Sequence, residues 1–488
     1  MRTPGKRRAS PTARSTISAR LIKHVALETR ADGNILACFD DHGVPLGNFS
    51  EEARKRAHSL RSGLPLASFA ASRRAADQEL GRLVRRLAQR GLLEYRFGRV
   101  RKTDDVIIEP QMAGYWPRTP RLSAAATLVL SRFAYLRRRG NEMILESPLA
   151  GALVRICDTR IATALATLCT PQKVSALKGQ RGFPGLELLA LLVDCQILLK
   201  VEVAKGDRLR LSEGDENLAL WDFHDLAFHA RSNEGRHANP SGGLYSYAGV
   251  IHPPPAVRPR WPGKTIDLRA HSSTPSETIS PLARILDERH STRDFDAQRP
   301  ITLGELARFL DASARVRRKW TTNLDLTNDA PEVAYAARPY PSGGSAYELE
   351  LYLAVANCEG LESGFYHYDA DRHVLVPIAT RQQELEGLFA AAEFAMDAAG
   401  PPQILITVAA RFARVSWKYS SIAYSLILKD VGAVIQTMYL MATDMGLGGC
   451  AIGTNNIDLF ATLTGIEFHV EGPVGQFALG RGRDAVGE

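Results

Sequence analysis

Residues 423–453 read Ala423-Tyr-Ser-Leu-Ile-Leu-Lys-Asp-Val-Gly-Ala-Val-Ile-Gln-Thr-Met-Tyr-Leu-Met-Ala-Thr-Asp-Met445, then Gly446-Leu447-Gly448-Gly449-Cys450-Ala451-Ile452-Gly453. The first part predicts one long, mostly apolar helix over Ala423–Met445, closed by its glycines. Adjacent glycines let a backbone come close to a planar group and aim amides at it. This glycine run follows a helix, so it lacks the strand–turn–helix setting of a dinucleotide-binding loop. We read it as a backbone platform beside a ring.

Working outward, the pattern from residue 281 is a mixture of helices and strands. Pro281–Arg289 reads as a helix with Leu282, Ile285 and Leu286 on one face. Thr302 is placed to cap a helix over Leu303–Ala314. A glycine turn at Pro341-Ser342-Gly343-Gly344 precedes the strand Leu349–Ala356. That strand and Ile404–Ala409 are apolar enough for burial on both faces. Phe477–Gly480 reads as a last short strand.

Four features here suit an anionic, planar cofactor. Arg289-His290-Ser291-Thr292-Arg293 sets two guanidiniums around a hydroxyl, a donor set for a phosphate or a polar ring edge. Pro341-Ser342-Gly343-Gly344-Ser345 and the Gly448-Gly449 pair offer backbone close to a ring. Leu479-Gly480-Arg481-Gly482-Arg483 spaces two arginines by flexible glycine.

The N-terminal half differs. A helix-then-strand pattern occurs twice, at Leu80–Tyr95 and Leu186–Val201, 106 residues apart from Leu80 to Leu186. Each copy carries apolar residues at i, i+3, i+4 and i+7, and Gly91 suits a left-handed helix end. Such a helix running into a strand predicts two winged-helix-like units, 18–105 and 120–205. The first helix carries Arg82, Arg85, Arg86 and Arg90, but the second has Glu187 and Asp194 and no basic residue. A helix that reads bases needs Arg, Lys, Asn or Gln on its open face, so these units read as peptide- or partner-binding and no nucleic acid is expected. Residues 206–280, with Pro253-Pro254-Pro255 and Ser272-Ser273-Thr274-Pro275-Ser276, read as a connector in which Trp221–His229 forms a docked helix.

The chain has 488 residues, with 61 Lys and Arg against 53 Asp and Glu. Eight of those bases and only one acid, Glu28, fall within residues 1–30, so residues 1–17 read as a basic, disordered tail. The segment lacks the apolar core of a secretory signal. Charge-free runs such as Gly432–Thr443 are shorter than a bilayer span, which argues against a membrane protein. Six cysteines without a Cys-x-x-Cys pair, and His224, His229 and His237 at no ligand spacing, give no metal signal. Reduced thiols fit a cytoplasmic protein.

Taken together, Arg-x-Ser-x-Arg, Pro-Ser-Gly-Gly, Gly364-Phe-Tyr-His-Tyr-Asp369, the long helix, the glycine run and the terminal Gly-Arg-Gly-Arg resemble the nitroreductase-type flavoproteins over 281–485. More narrowly, Trp417-Lys418-Tyr419 is similar to the Lys-Tyr pair of the SagB-type thiazole/oxazole dehydrogenases of ribosomal peptide modification. The resemblance implies an α+β domain over 281–488, non-covalent FMN and a homodimer that builds the site. It implies Arg289, Ser291, Arg293, Arg481 and Arg483 on phosphate, ribityl or polar ring edges, and Pro341, Ser342, Gly343, Gly448 and Gly449 along the ring. It further implies oxidation of thiazoline or oxazoline rings in a precursor peptide, with a cyclodehydratase as partner. Lys418 or Tyr419 would act as base. Both titrate near about 10 when unperturbed, so that role needs a lowered value. Competing expectations are an NAD(P)H-dependent nitro- or quinone reductase, a flavin-linked DNA-binding regulator and a scaffold.

Overall fold

The long helix runs over Ala423–Asp444. Gly446, at φ +65°, ends it, and the Leu447 amide returns to the Ala442 carbonyl at 2.8 Å, the bond of a Schellman turn. By length and composition this helix could cross a membrane. Its side chains instead pack on a sheet and on the helix Leu303–Ala314, and Asp430 lies buried within it, so it is a core helix.

The computed structural model describes residues 15–39, 42–99, 104–178, 185–201, 216–236, 243, 245–260, 262–268, 280–323 and 331–483. Most of the expected basic tail, His237 and the serine-rich run at 272–276 lie outside these residues. Two units form, residues 1–239 and 240–488.

The second unit is α+β. The six strands of its main sheet pair antiparallel throughout, in the order Val374–Ile378, Gly364–Asp369, Leu349–Val355, Ile404–Arg411, Glu471–Gly480, Gly448–Ile452, while the short strands Ile301–Thr302 and Cys358–Glu359 pair parallel. Helices cover both faces. Tyr352, Ala354, Leu405, Ala409 and Ala478 meet the helices Gln382–Met396 and Ile457–Thr464 on one side. Phe477 points to the other, against Phe309 and Tyr439. Thr302 caps its helix as expected, in a full capping box with Glu305.

Two expectations are corrected. The last strand is ten residues long, Glu471–Gly480, and buried throughout. Pro473, which donates no ladder bond, is accommodated by a bulge: Val408 pairs Gly475, Ala409 pairs Pro473, and Val474 is the extra residue. The glycine run is not a free platform, because Gly448–Ile452 is the edge strand of the sheet. A side-chain carbon at Gly449 would collide with the Phe477 ring, and one at Gly448 would come within 2.6 Å of the Thr292 methyl.

In the first unit an order of elements occurs twice. The first copy runs from the strand Ser15–Leu21 through a three-stranded meander, the helix Glu51–Ala57, the short strand Leu64–Pro65 and the helix Ala75–Gln89 to the strand Leu93–Arg99. The second runs from Thr127–Leu130 through another meander, Thr159–Ala166, Gln172–Lys173 and Leu186–Asp194 to Leu198–Lys200. In each copy the short strand and the last strand flank the first.

Both long helices end in the same turn, with Leu92 bonded to Leu87 and Ile197 to Leu192, and Gly91 and Gln196 left-handed at φ +67° and +57°. The structural register is therefore 105 residues, one less than the apolar pattern suggests. At that offset buried Leu83, Val84 and Leu87 match buried Leu188, Leu189 and Leu192.

The two copies are not separate units. The strand Asp104–Pro110 pairs with Leu93–Arg99 and also with Ala152–Ile156 of the second meander, making one seven-stranded sheet. One hydrophobic core runs through both. The expected connector is also shorter. Arg132 donates to the carbonyls of Leu218 and Trp221, and Arg231 pairs with Glu146, which holds the helices Glu216–Leu220 and Phe223–Ser232 to this unit.

Gly91 has open space where a side chain would go, so its requirement is conformational. Gly91→Ala should cost about 1 kcal/mol, whereas Gln196→Gly should stabilise by a smaller amount because glycine also frees the unfolded chain. Urea unfolding of the two variants against wild type checks both signs.

Candidate functional site

The long helix holds one cluster at each of two positions. Near its C-terminal end the Tyr439 hydroxyl accepts the Ala451 amide at 2.7 Å and lies 2.8 Å from the Ser291 hydroxyl. Arg289 sits over the Tyr439 ring at 5.1 Å. The Thr292 amide donates to the Gly449 carbonyl, the Asp296 amide to Arg481 and the Arg483 amide to Asp294, while Phe295 bridges to Gly482. The stretch 289–296 is thus laced to both glycine-arginine segments. Burial pushes the Cys450 thiol up, and the charge of Arg293 nearby acts against that shift.

The arginines divide. Arg481 Nη2 donates to both Glu305 carboxylate oxygens at 2.8 and 2.9 Å, so its guanidinium holds the segment to the capped helix. The Glu305 carboxyl is lowered to about 2, chiefly by the Thr302 amide and then by Arg481. Among the described residues Arg289, Arg293 and Arg483 have no carboxylate partner. Three arginines without a carboxylate partner, on segments laced to the Gly448-Gly449 strand, fit a dianionic group.

The second cluster surrounds Pro341-Ser342-Gly343-Gly344. Asp430 accepts the Ser342 hydroxyl at 2.8 Å and the Gly343 amide at 2.9 and 3.1 Å. The Gly343 amide, expected to face a ligand, is therefore turned inward to a carboxylate. Ser342 also accepts the Tyr347 amide at 2.9 Å and lies 3.4 Å from Glu348.

Gly344 is left-handed at φ +61°, and Ser345 and Tyr347 are left-handed without being glycine, a local concentration of backbone strain. The pair expected to act as base, Lys418 and Tyr419, converges on this turn. Lys418 Nζ donates to the Gly344 carbonyl at 3.1 Å. A side-chain carbon at Gly344 would lie 2.7 Å from Lys418 Nζ and would collide with the Tyr419 hydroxyl. The ammonium is also set between rings, 5.6 Å from Tyr335 and 5.4 Å from Tyr419. Tyr335 is itself stacked on Trp320 across the hairpin Arg318–Asn323/Glu332–Ala337.

One chain does not join the two clusters. Asp430 and Tyr439 are nine residues apart, two and a half helical turns, so they lie about 14 Å apart along the axis and on opposite sides of it. Sequence reasoning found both motif sets but missed Asp430, Tyr439, Glu348 and Tyr335. A lone acid in an otherwise apolar helical stripe was the available signal for Asp430, and the others have none. Among the described residues no cluster of metal-ligating side chains occurs. His229 is buried against Trp221 and bonded to Asn233.

The chain matches the sequence profile described as Nitroreductase family over residues 286–481 and the profile described as Cyanobactin oxidase ThcOx over 128–238. It is 31% identical over 172 residues to the nitroreductase-like protein MJ1384 of Methanocaldococcus jannaschii, covering 35% of this chain and 78% of that protein. It is 29% identical over 123 residues to the microcin B17-processing protein McbC of Escherichia coli, covering 24% of this chain and 44% of McbC. A chain in the solved E. coli microcin synthetase McbBCD complex with truncated pro-MccB17 bound is 19% identical, with 55% of this chain and 97% of that one covered and a TM-score of 0.39.

Tyr439→Phe removes the hydroxyl that joins Ser291 to Ala451. Leaving these groups unpaired should cost about 1–3 kcal/mol, read as a lower thermal midpoint, with the far-ultraviolet spectrum retained.

Proposed function

This chain belongs to the nitroreductase family, and on that footing we propose that it is an FMN-dependent dehydrogenase that oxidises thiazoline and oxazoline rings in a ribosomally made peptide to thiazoles and oxazoles. The observation that carries the reading is the convergence of Lys418 Nζ and the Tyr419 hydroxyl on the Gly344 turn, in a chain that also matches the ThcOx profile and McbC.

Arg289, Arg293 and Arg483 would hold the FMN phosphate, with Arg481 steadying their loop, and Ser291, Gly448 and Gly449 would face the rest of the cofactor. Pro341, Ser342 and Gly343 would supply a wall for its ring. Bound FMN would supply a two-electron acceptor for the hydride leaving the β carbon of the azoline, with dioxygen as reoxidant. This chain's own task is the α proton. Lys418 or Tyr419 takes it, and the Gly344 carbonyl and the two flanking rings fix where the ammonium nitrogen sits. Removing the proton from one carbon and the hydride from the next leaves the aromatic azole.

The opposite placement of the two clusters favours a homodimer, in which the arginines of one copy meet the Gly344 turn and Lys418 of the other. Apolar groups suited to that contact are exposed: Leu282 and Leu286 on the helix Pro281–Glu288, which buries no residue, and Trp417, Ile422 and Leu428 around the long helix.

The N-terminal unit would grip the precursor peptide or a cyclodehydratase partner through its two winged-helix-like halves. The ThcOx match ends at residue 238, where that unit ends. A tethered docking surface offsets the entropy of ordering a flexible substrate.

Purified protein should show flavin absorption that bleaches anaerobically on adding an azoline peptide, with a product lighter by two hydrogens. Lys418→Ala should slow bleaching at least about a hundredfold while flavin stays bound. Bleaching by NAD(P)H alone would favour a reductase instead. Sedimentation should give a dimer, and Leu286→Glu with Leu428→Glu should convert it to monomer and release flavin.

A further inference from the structure

A buried carboxyl pair lies beneath the turn that carries Lys418, and the dehydrogenase chemistry proposed above does not use it. Glu348 is 0% exposed and Asp430 is 7% exposed. The Ser342 hydroxyl sits between them, 2.8 Å from Asp430 and 3.4 Å from Glu348.

A serine has one hydroxyl proton to donate, and the nearer Asp430 receives it, together with the Gly343 amide. The second Glu348 oxygen has no hydrogen-bond partner among the described residues. A fully buried carboxylate with so few donors is costly as an anion. As an acid, Glu348 carries no buried charge and can direct its one proton to the Ser342 oxygen, which in turn donates to Asp430.

We propose that Glu348 is a positioning residue: its carboxylic acid form holds the Pro341–Gly344 turn on Asp430 and thereby places the Gly344 carbonyl that anchors Lys418. Loss of that proton sets two buried carboxylates against each other across a single hydroxyl. The turn then loosens and the Lys418 anchor moves with it.

Burial is the largest effect and raises Glu348 to about 7; its own amide, next in size, acts against that, the facing Asp430 adds to the rise, and Ser342 opposes it least. A raised folded-state value means that the proton's contribution is fully present below about 4.5, the ordinary value, and is lost as pH rises through about 7. Other groups face this site. Asp430 comes from the long helix. Arg411, from the central strand, gives its amide to the Glu348 carbonyl. Arg414 is turned to the Ala346 and Ala334 carbonyls, and Tyr340 precedes the turn. Lys418 and Tyr419 lie beyond Gly344. The cations favour the anion of Glu348, and Asp430 and burial oppose it.

The role rests on the dehydrogenase reading, but its test does not. Infrared titration of full-length protein without peptide should show a protonated-carboxyl band lost near pH 7 and missing in Glu348→Gln. Asp430→Asn should move its midpoint down, because the facing charge is gone. Hydrogen exchange should show the Gly343 and Tyr347 amides losing protection through the same pH range in wild type but not in Glu348→Gln. Where azoline oxidation is present, its fall on the alkaline side should move in Glu348→Gln. A band unchanged by Glu348→Gln, or amide protection with the same pH dependence in both proteins, overturns the proposal. Success of both measurements without azoline oxidation would overturn only the dehydrogenase reading.

Discussion

A carboxylate inside an apolar helix organises the catalytic half of this chain. Asp430 accepts a hydroxyl and an amide from one turn, and such charge-assisted bonds contribute about 1.5–3 kcal/mol each, enough to offset the desolvation of one well-bonded carboxylate. Two and a half turns later Tyr439 binds Ser291 and Ala451 from the other side. A helix is stiff, so its rise sets the separation of both clusters as a fixed length. The sheet beneath it, buried on both faces, keeps the helix from sliding, with Phe477 packed against Tyr439 and Phe309.

Much of this was legible because it is local. Thr302 and Glu305 form their capping box within four residues, and the long helix announces itself by composition. What was not legible depends on distant partners. Gly448 and Gly449 read as a backbone platform beside a ring, since nothing in their neighbourhood reveals that Thr292 and Phe477 press on them. Glu471–Gly480 contains Gly472, Pro473 and Gly475, which argue against a central strand, and only the bulge at Val474 makes it possible. Nothing local to Glu348 marks it as buried, because the groups that surround it, Asp430 and the strand that ends at Arg411, are distant in sequence. In the N-terminal unit the repeat was visible, but its register was set by a left-handed residue, Gln196, that composition does not mark.

The same unit shows why a duplicated pattern did not give two independent units. Strand pairing is satisfied by any free edge, and Asp104–Pro110 offers one to the second meander. One face of the joined sheet then carries alternating charge across the strands. Arg20 and Arg155 face Glu94, and Arg139 and Arg155 face Glu109 and Glu142. Opposite charges on neighbouring strands favour this register over a slipped one, so the merger is specified and not incidental.

The fixed helix spacing also limits how a two-copy site is assembled. In one chain the arginine cluster and the Lys418 turn attach to opposite sides of the helix, about 14 Å apart along it, and neither set alone matches a ligand with one dianionic end and one flat end. Two copies related by a twofold axis bring unlike halves together twice, so a dimer of the proposed kind has two equivalent sites and each copy supplies base and anion cradle to different ones. Lys418 is exposed in the single chain. In the proposed dimer the exposed Trp417, Ile422 and Leu428 next to the pair would be the surface that covers it.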